Sequence, residues 1–140
     1  MTWQIRETSD LTDAHALRRT VFIEEQAIAE AEEWDDLDDQ AIHLVAYQGE
    51  TPLGTARLLT SGSTGKIGRI CVAKPARGTG LGAALVAEGI QRLAQIPGLT
   101  TVRLSAQVYA TGFYEKLGFS VISDQYDDAG IPHHDMERPL

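Results

Sequence analysis

Six residues, Arg77-Gly78-Thr79-Gly80-Leu81-Gly82, follow an apolar run ending at Val72 and precede a helical repeat in which Val86, Ile90 and Leu93 recur at i, i+4 and i+7. A strand, a glycine-rich turn and an amphipathic helix in that order require a sheet with a helix laid on one face. The glycines let the backbone turn tightly and approach a ligand, and the helix start offers unpaired amides at the positive end of its dipole. That combination suits a phosphate or pyrophosphate, and Arg77 adds a fixed charge with several donors. A bare Gly-x-Gly is also found as a simple turn, so the flanking elements carry the weight.

Two phosphate motifs fit poorly. Gly78-x-Gly80-x-x-Ala83 meets a loose dinucleotide fingerprint, but Ala73 to Ala76 separate the strand from Arg77, and Arg103 stands where a ribose-binding acid is needed. No Gly-Lys-Ser/Thr follows the glycines, which excludes a Walker loop. Upstream, apolar runs from Ile42 to Tyr47, Leu53 to Thr60 and Ile67 to Val72 are joined by short turns, which predicts an antiparallel meander rather than a doubly wound sheet.

The remaining elements complete a mixed order. Trp3 to Glu7 reads as a short strand, and Asp10 or Thr12 can cap a first helix whose Ala14, Leu17 and Val21 share a face and which ends near Glu25. Pro97 and Gly98 close the helix after the glycine turn. Then come a strand from Val102 to Gln107, a short helix from Ala110 to Leu117 stopped by Gly118, a strand from Phe119 to Ser123 and a last strand from Asp135 to Arg138. Strand, helix, meander, helix, strand, helix, strand predicts an α+β (mixed α/β) domain. No repeat or linker divides residues 1–140, so one core is expected.

Charge is concentrated. The chain has 140 residues, with 12 Lys plus Arg against 20 Asp plus Glu, a net charge of −8 that argues against nucleic acid or an anionic membrane as partner. Nine acidic residues and no Lys or Arg lie between Glu24 and Asp39, so the rest of the chain is close to neutral. Such a run is a solvated loop or broken helix anchored by Trp34 and Leu37, or an electrostatic funnel for a cationic substrate. The one cysteine, Cys71, cannot form an internal disulfide, and Cys and His show no zinc spacing. With no signal-peptide pattern and no eighteen-residue apolar run, a cytoplasmic protein without metal is expected.

The residues now resemble a known family. Arg77-x-x-Gly80-x-Gly82 after Ile70-Cys71-Val72, with Ala110-x-x-Phe113-Tyr114-Glu115-Lys116-Leu117-Gly118-Phe119 downstream, is similar to the acetyl-coenzyme A loop and the segment after the fifth strand of GNAT N-acetyltransferases. Val21-Phe22-x-x-Glu25-Gln26 and Gly130-Ile131-Pro132-His133 resemble the ElaA/YjcF-like branch. The resemblance implies a central mixed, mostly antiparallel sheet flanked by helices, with direct transfer of an acetyl group from acetyl-CoA to a small-molecule or peptide amine. The alternative is a catalytically silent acetyl-CoA binder. Homodimers are a habit of the family.

Resemblance also implies roles. Backbone amides of Arg77, Gly78, Thr79, Gly80, Leu81 and Gly82 cradle the pyrophosphate, while the strand through Ile70, Cys71 and Val72 holds the pantetheine arm and polarises the thioester carbonyl. Gln107 stands where many members carry an Asn touching that arm. Tyr114 matches the position of the general acid for the departing thiolate. Glu33, Asp36 and Asp38 are acceptor-site candidates, one of which could serve as base, and His133 is expected to line the acceptor pocket. By its residue type alone Cys71 reads as a small core hydrophobe, not a nucleophile.

Overall fold

A computed structural model describes residues 2–140. Its strands are β1 (Gln4–Thr8), β2 (Ile42–Gln48), β3 (Thr51–Ser61), β4 (Thr64–Val72), β5 (Thr101–Gln107), β6 (Ser120–Val121), β7 (Tyr126–Asp128) and β8 (Ile131–Pro139). Four α-helices accompany them: α1 (Thr12–Arg18), α2 (Glu30–Glu33), α3 (Leu81–Ala94) and α4 (Thr111–Glu115). All eight strands join one mixed sheet in the order β1-β2-β3-β4-β5-β8-β6, with β7 on β8. Among the described residues only the β4–β5 pair is parallel.

Each face buries its own apolar set. Leu44, Leu58, Ile67, Leu104 and Met136 meet Leu81, Leu85, Val86 and Leu93 of α3, all essentially inaccessible. Fully burying each such side chain contributes about 1.5–3 kcal/mol, which makes this layer the main support of the sheet. Gly54 admits α3 this closely, because a Cβ there would lie 2.9 Å from Leu85 Cδ1 and 3.1 Å from the Cys71 carbonyl. On the opposite face Ala14, Leu17, Val21 and Phe22 pack on Val45 and Cys71. That helix packs against β2, β3 and β4.

The first helix changes its winding partway. It runs as α1 from an Asp10 carboxylate that accepts from the Thr12 amide at 3.0 Å, then continues from Arg19 to Glu25 as a π-helix, with the Gln26 amide donating to the Val21 carbonyl at 3.1 Å. The expected end near Glu25 is met, but the wider turn redirects Glu25 and Gln26.

The acidic segment forms α2 and a 3₁₀ turn at Asp38–Gln40, the broken helix among the two forms expected for it. Two other expectations need adjustment. The final strand begins at Ile131, not Asp135, because β7 pairs with its first half, Tyr126 opposite His133. His133 therefore sits within this strand, ahead of the expected start at Asp135. The helix expected over 110–117 is a 3₁₀ turn at Val108–Ala110 followed by α4.

Candidate active site

The parallel pairing of β4 and β5 lasts three residues, Thr64–Lys66 against Thr101–Arg103, and then the strands part. The cause is a bulge in β4. Thr55 faces Cys71 and Arg57 faces Gly68, so Arg69 and Ile70 together oppose Ala56. An extra residue bends the strand and increases its twist, turning β4 away from β5. Arg69 takes a φ of +48°, a left-handed conformation that non-glycine residues rarely adopt. Its guanidinium is anchored, with Nε donating to Glu33 Oε2 at 2.9 Å and Nη2 to the Glu33 carbonyl at 3.0 Å.

A cavity of about 620 Å³ fills this split. Of the residues singled out in the sequence, Ile70, Cys71, Val72, Arg77, Gln107, Tyr114, Glu33 and His133 line it. Gly78, Thr79, Gly80, Leu81 and Gly82 lead away from Arg77 into α3, Gly80 taking a φ of +90° as the residue before the helix. Among the described residues, no protein acceptor takes the amide hydrogens of residues 78–83, whereas Arg77 donates to the Lys74 carbonyl and Ala84 to the Gly80 carbonyl. Six successive uncommitted amides at the start of a 14-residue helix form a nest for an anion.

Two clasps cross the cavity from the end of the π-helix. Arg77 Nη2 donates to both oxygens of Glu25 at 3.1 and 2.9 Å, and its Nε donates to the Val72 carbonyl at 2.9 Å. Gln107 Nε2 donates to Gln26 Oε1 at 3.0 Å. The motif Val21-Phe22-x-x-Glu25-Gln26 thus reaches both arms of the split, a connection that nothing local in the sequence announces.

Tyr114 packs edge-on against Phe113 and Phe119, at ring separations of 5.0 and 6.1 Å. Burial, with a small addition from Tyr109, pushes its phenol up to about 12, so it holds its proton at neutral pH. Burial likewise pushes the Cys71 thiol up to about 12, which disfavours the thiolate a nucleophile needs.

Part of the acidic segment is neutralised by arginine. Glu33 is buried, and its Oε2 accepts from Arg18 Nε and Arg69 Nε at 2.9 Å each. Asp38 accepts from Arg18 Nη1 at 2.9 Å and from Arg57 Nη1 at 3.1 Å, and meets His15 Nε2 at 3.0 Å. Burial raises the proton affinity of Asp38, but Arg18, Arg57 and His15 outweigh it and hold the carboxyl well below the usual range. Asp35 pairs with Arg57 and Arg69, and Glu30 with Arg19, while Trp34 lies beneath the guanidiniums of Arg18 and Arg19. Asp36 is exposed and lines neither cavity, and Asp38 lines a second cavity beside Thr8 and His43. Of the three acidic candidates only Glu33 reaches the split.

At the far side of the cavity, Tyr126 donates from its hydroxyl to Asp135 Oδ1 at 2.6 Å, also meets Ser105 Oγ, and stacks on His133. Sequence reasoning missed Tyr126 because β7 is three residues long and carries no alternating pattern.

A sheet split by a bulge, with an amide nest at the start of the following helix, defines an acyl-CoA N-acyltransferase architecture. A family model described as "Acetyltransferase (GNAT) domain" matches residues 7–140, and the chain belongs to that family of acyltransferases. It is similar to the uncharacterized N-acetyltransferase YjcF of Bacillus subtilis, 37% identical over 134 residues that cover 95% of each chain. Among solved structures, one from Lactobacillus plantarum has a TM-score of 0.90 at 32% identity, covering 100% of this chain and 99% of that one. ElaA of Escherichia coli has a TM-score of 0.85 at 26% identity over 98% of both chains. The expected branch and fold are therefore correct. Among the described residues no helix is long and apolar enough to cross a membrane, and no group of three or more His, Cys, Asp or Glu residues could hold a metal.

Proposed function

We propose that this chain transfers the acetyl group of acetyl-CoA directly to an amine acceptor, a small molecule or a peptide amine, within a ternary complex. The observation that carries this reading is the conjunction of the free amides of residues 78–83 with the open edge of β4 beyond Lys66. The pyrophosphate lies on those amides, with Arg77 beside it. The pantetheine arm follows the free edge of β4 through Ile70, Cys71 and Val72, as an added strand would, with Gln107 on the opposite wall.

The acceptor nitrogen attacks the thioester carbonyl, and a β4 amide near Val72 donates to the oxyanion as it forms. A donor of this kind is worth about 2.7–4 kcal/mol in other acyl-transfer enzymes. Collapse of the tetrahedral intermediate breaks the C–S bond, and Tyr114 gives its proton to the departing thiolate. Its raised proton affinity keeps the phenol loaded for that step.

Calorimetric titration with acetyl-CoA, followed by a free-thiol assay across an amine panel, tests the reading. Binding and thiol release are expected. Binding without release for any amine would leave a silent acetyl-CoA binder, and no binding would remove the cofactor assignment.

A further inference from the structure

An amine acceptor arrives protonated, since a lysine-like amine with a reference pKa near 10.4 is only about one part in 10³ neutral at pH 7. A proton acceptor, or a water chain leading to one, must serve the cavity. Four carboxylates line it: Glu33 is bound to Arg18 and Arg69, Glu25 to Arg77, and Glu32 and Asp128 are exposed side chains of a type whose ordinary proton affinity lies well below neutrality. Imidazole is the side chain whose ordinary proton affinity lies nearest neutrality. Among the described residues, His133 is the one histidine that lines the cavity.

The fold also sets which ring nitrogen is available. His133 Nδ1 lies 2.7 Å from the Ile131 carbonyl, and a carbonyl only accepts, so Nδ1 carries a proton. In the neutral ring the lone pair is therefore on Nε2. That atom has no hydrogen-bond partner among the described residues and is not among the fully buried unpartnered atoms, so it keeps some accessible surface. The residue is 9% exposed, and its ring is held in place, stacked at 6.0 Å and 21° on Tyr126, itself fastened to Asp135 and Ser105. In the β5–β8 ladder His133 faces Gln107, at the end of the strand that walls the split. The other histidines are engaged elsewhere: His15 and His43 direct Nε2 at Asp38, and His134 meets the Ser123 carbonyl.

We propose that His133 is the general base of the reaction, taking a proton from the acceptor ammonium at Nε2. This rests on the transferase reading above. The N–H bond breaks, its electron pair stays on nitrogen to attack the thioester, and the ring becomes an imidazolium. Two protons leave the nitrogen over the reaction. One passes through Nε2 to solvent, and the other replaces the one that Tyr114 gives to the thiolate.

The test compares two probe amines of similar size, n-propylamine, which is protonated at pH 7, and O-ethylhydroxylamine, which is already neutral there. His133→Gln, with His133→Asn as a second variant, is assayed for thiol release from acetyl-CoA, and folding is checked by circular dichroism and calorimetric acetyl-CoA binding. With propylamine, turnover should fall at least ~100-fold, the lower end of what a positioned acid or base contributes. With the alkoxyamine it should stay within about threefold of wild type, because no proton need leave before attack. Added imidazole should restore part of the propylamine activity to His133→Ala. Equal losses with both amines, or no loss with propylamine, would overturn the assignment while leaving the transferase reading intact. Wild type that binds acetyl-CoA but releases no thiol with either amine would overturn it too. Failure of wild type to bind acetyl-CoA would instead strike the cofactor reading on which it stands.

Discussion

Arg77, which opens the glycine turn, is joined to Glu25 at the end of the π-helix by two hydrogen bonds to one carboxylate, across 52 positions of sequence. The pair ties the π-helix to the loop that carries the free amides. Arg77→Ala should weaken acetyl-CoA binding about tenfold by calorimetry, the scale of one charge-assisted hydrogen bond. Glu25→Gln should change it by less than about threefold, because both side chains are partly exposed and such pairs contribute little.

Arg18 and Glu33 form the most deeply buried ion pair, with side chains 1% and 3% exposed. Stranding a buried partner outright costs about 3–5 kcal/mol. Glu33→Gln leaves Arg18 with Asp38 and Arg69 with Asp35 as remaining counter-charges, and loosens the strained Arg69 backbone at the bulge. Urea unfolding should show a loss of less than about 5 kcal/mol. Acetyl-CoA affinity should fall as well, because the bulge is what opens the split.

Asp38 and Asp35 bind protons less readily in the folded chain than in the unfolded one. Stability from these groups is therefore fully present above the ordinary Asp range near pH 4 and is lost as pH falls below it, where the unfolded chain takes up protons first. Denaturant midpoints should be flat from about pH 7 to 5 and drop steeply below about pH 4. Asp38→Asn should be less stable at pH 7, with a shallower acid limb.

Tyr114→Phe keeps the packing against Phe113 and Phe119 but removes the hydroxyl. Thiol release under saturating substrates should fall by about 10²–10⁴-fold, the usual range for a lost general acid. Acetyl-CoA affinity should stay within about threefold by calorimetry. A changed affinity with unchanged turnover would contradict the assignment of Tyr114 as acid.

Much of the fold was readable because its signals are local. The meander shows as three apolar runs with glycine-bearing turns, α3 as a 3.6-residue repeat, and the nest as glycines at a helix start. The acidic run was readable as charge and as a loop or broken helix, but not in its contacts. Whether Glu33 or Asp38 faces substrate or arginine depends on Arg18, Arg57 and Arg69, which come from one helix and two strands. His133 was legible as a residue of the pocket, but not as part of a strand, because pairing with β7 leaves no mark in a three-residue segment.

By itself the sequence determined the order of most elements, the glycine loop and the likeness to a family, since periodicity, turn chemistry and motif spacing act over a few residues. Tertiary structure alone decided where the sheet splits, which carboxylates are neutralised and which histidine nitrogen is free. Those depend on partners tens of residues apart: Ala56 against the bulge at Arg69 and Ile70, Glu25 against Arg77, and Tyr126 against His133. Nothing in the linear spacing of such pairs specifies their approach, which follows from how the strands twist and which faces the helices cover.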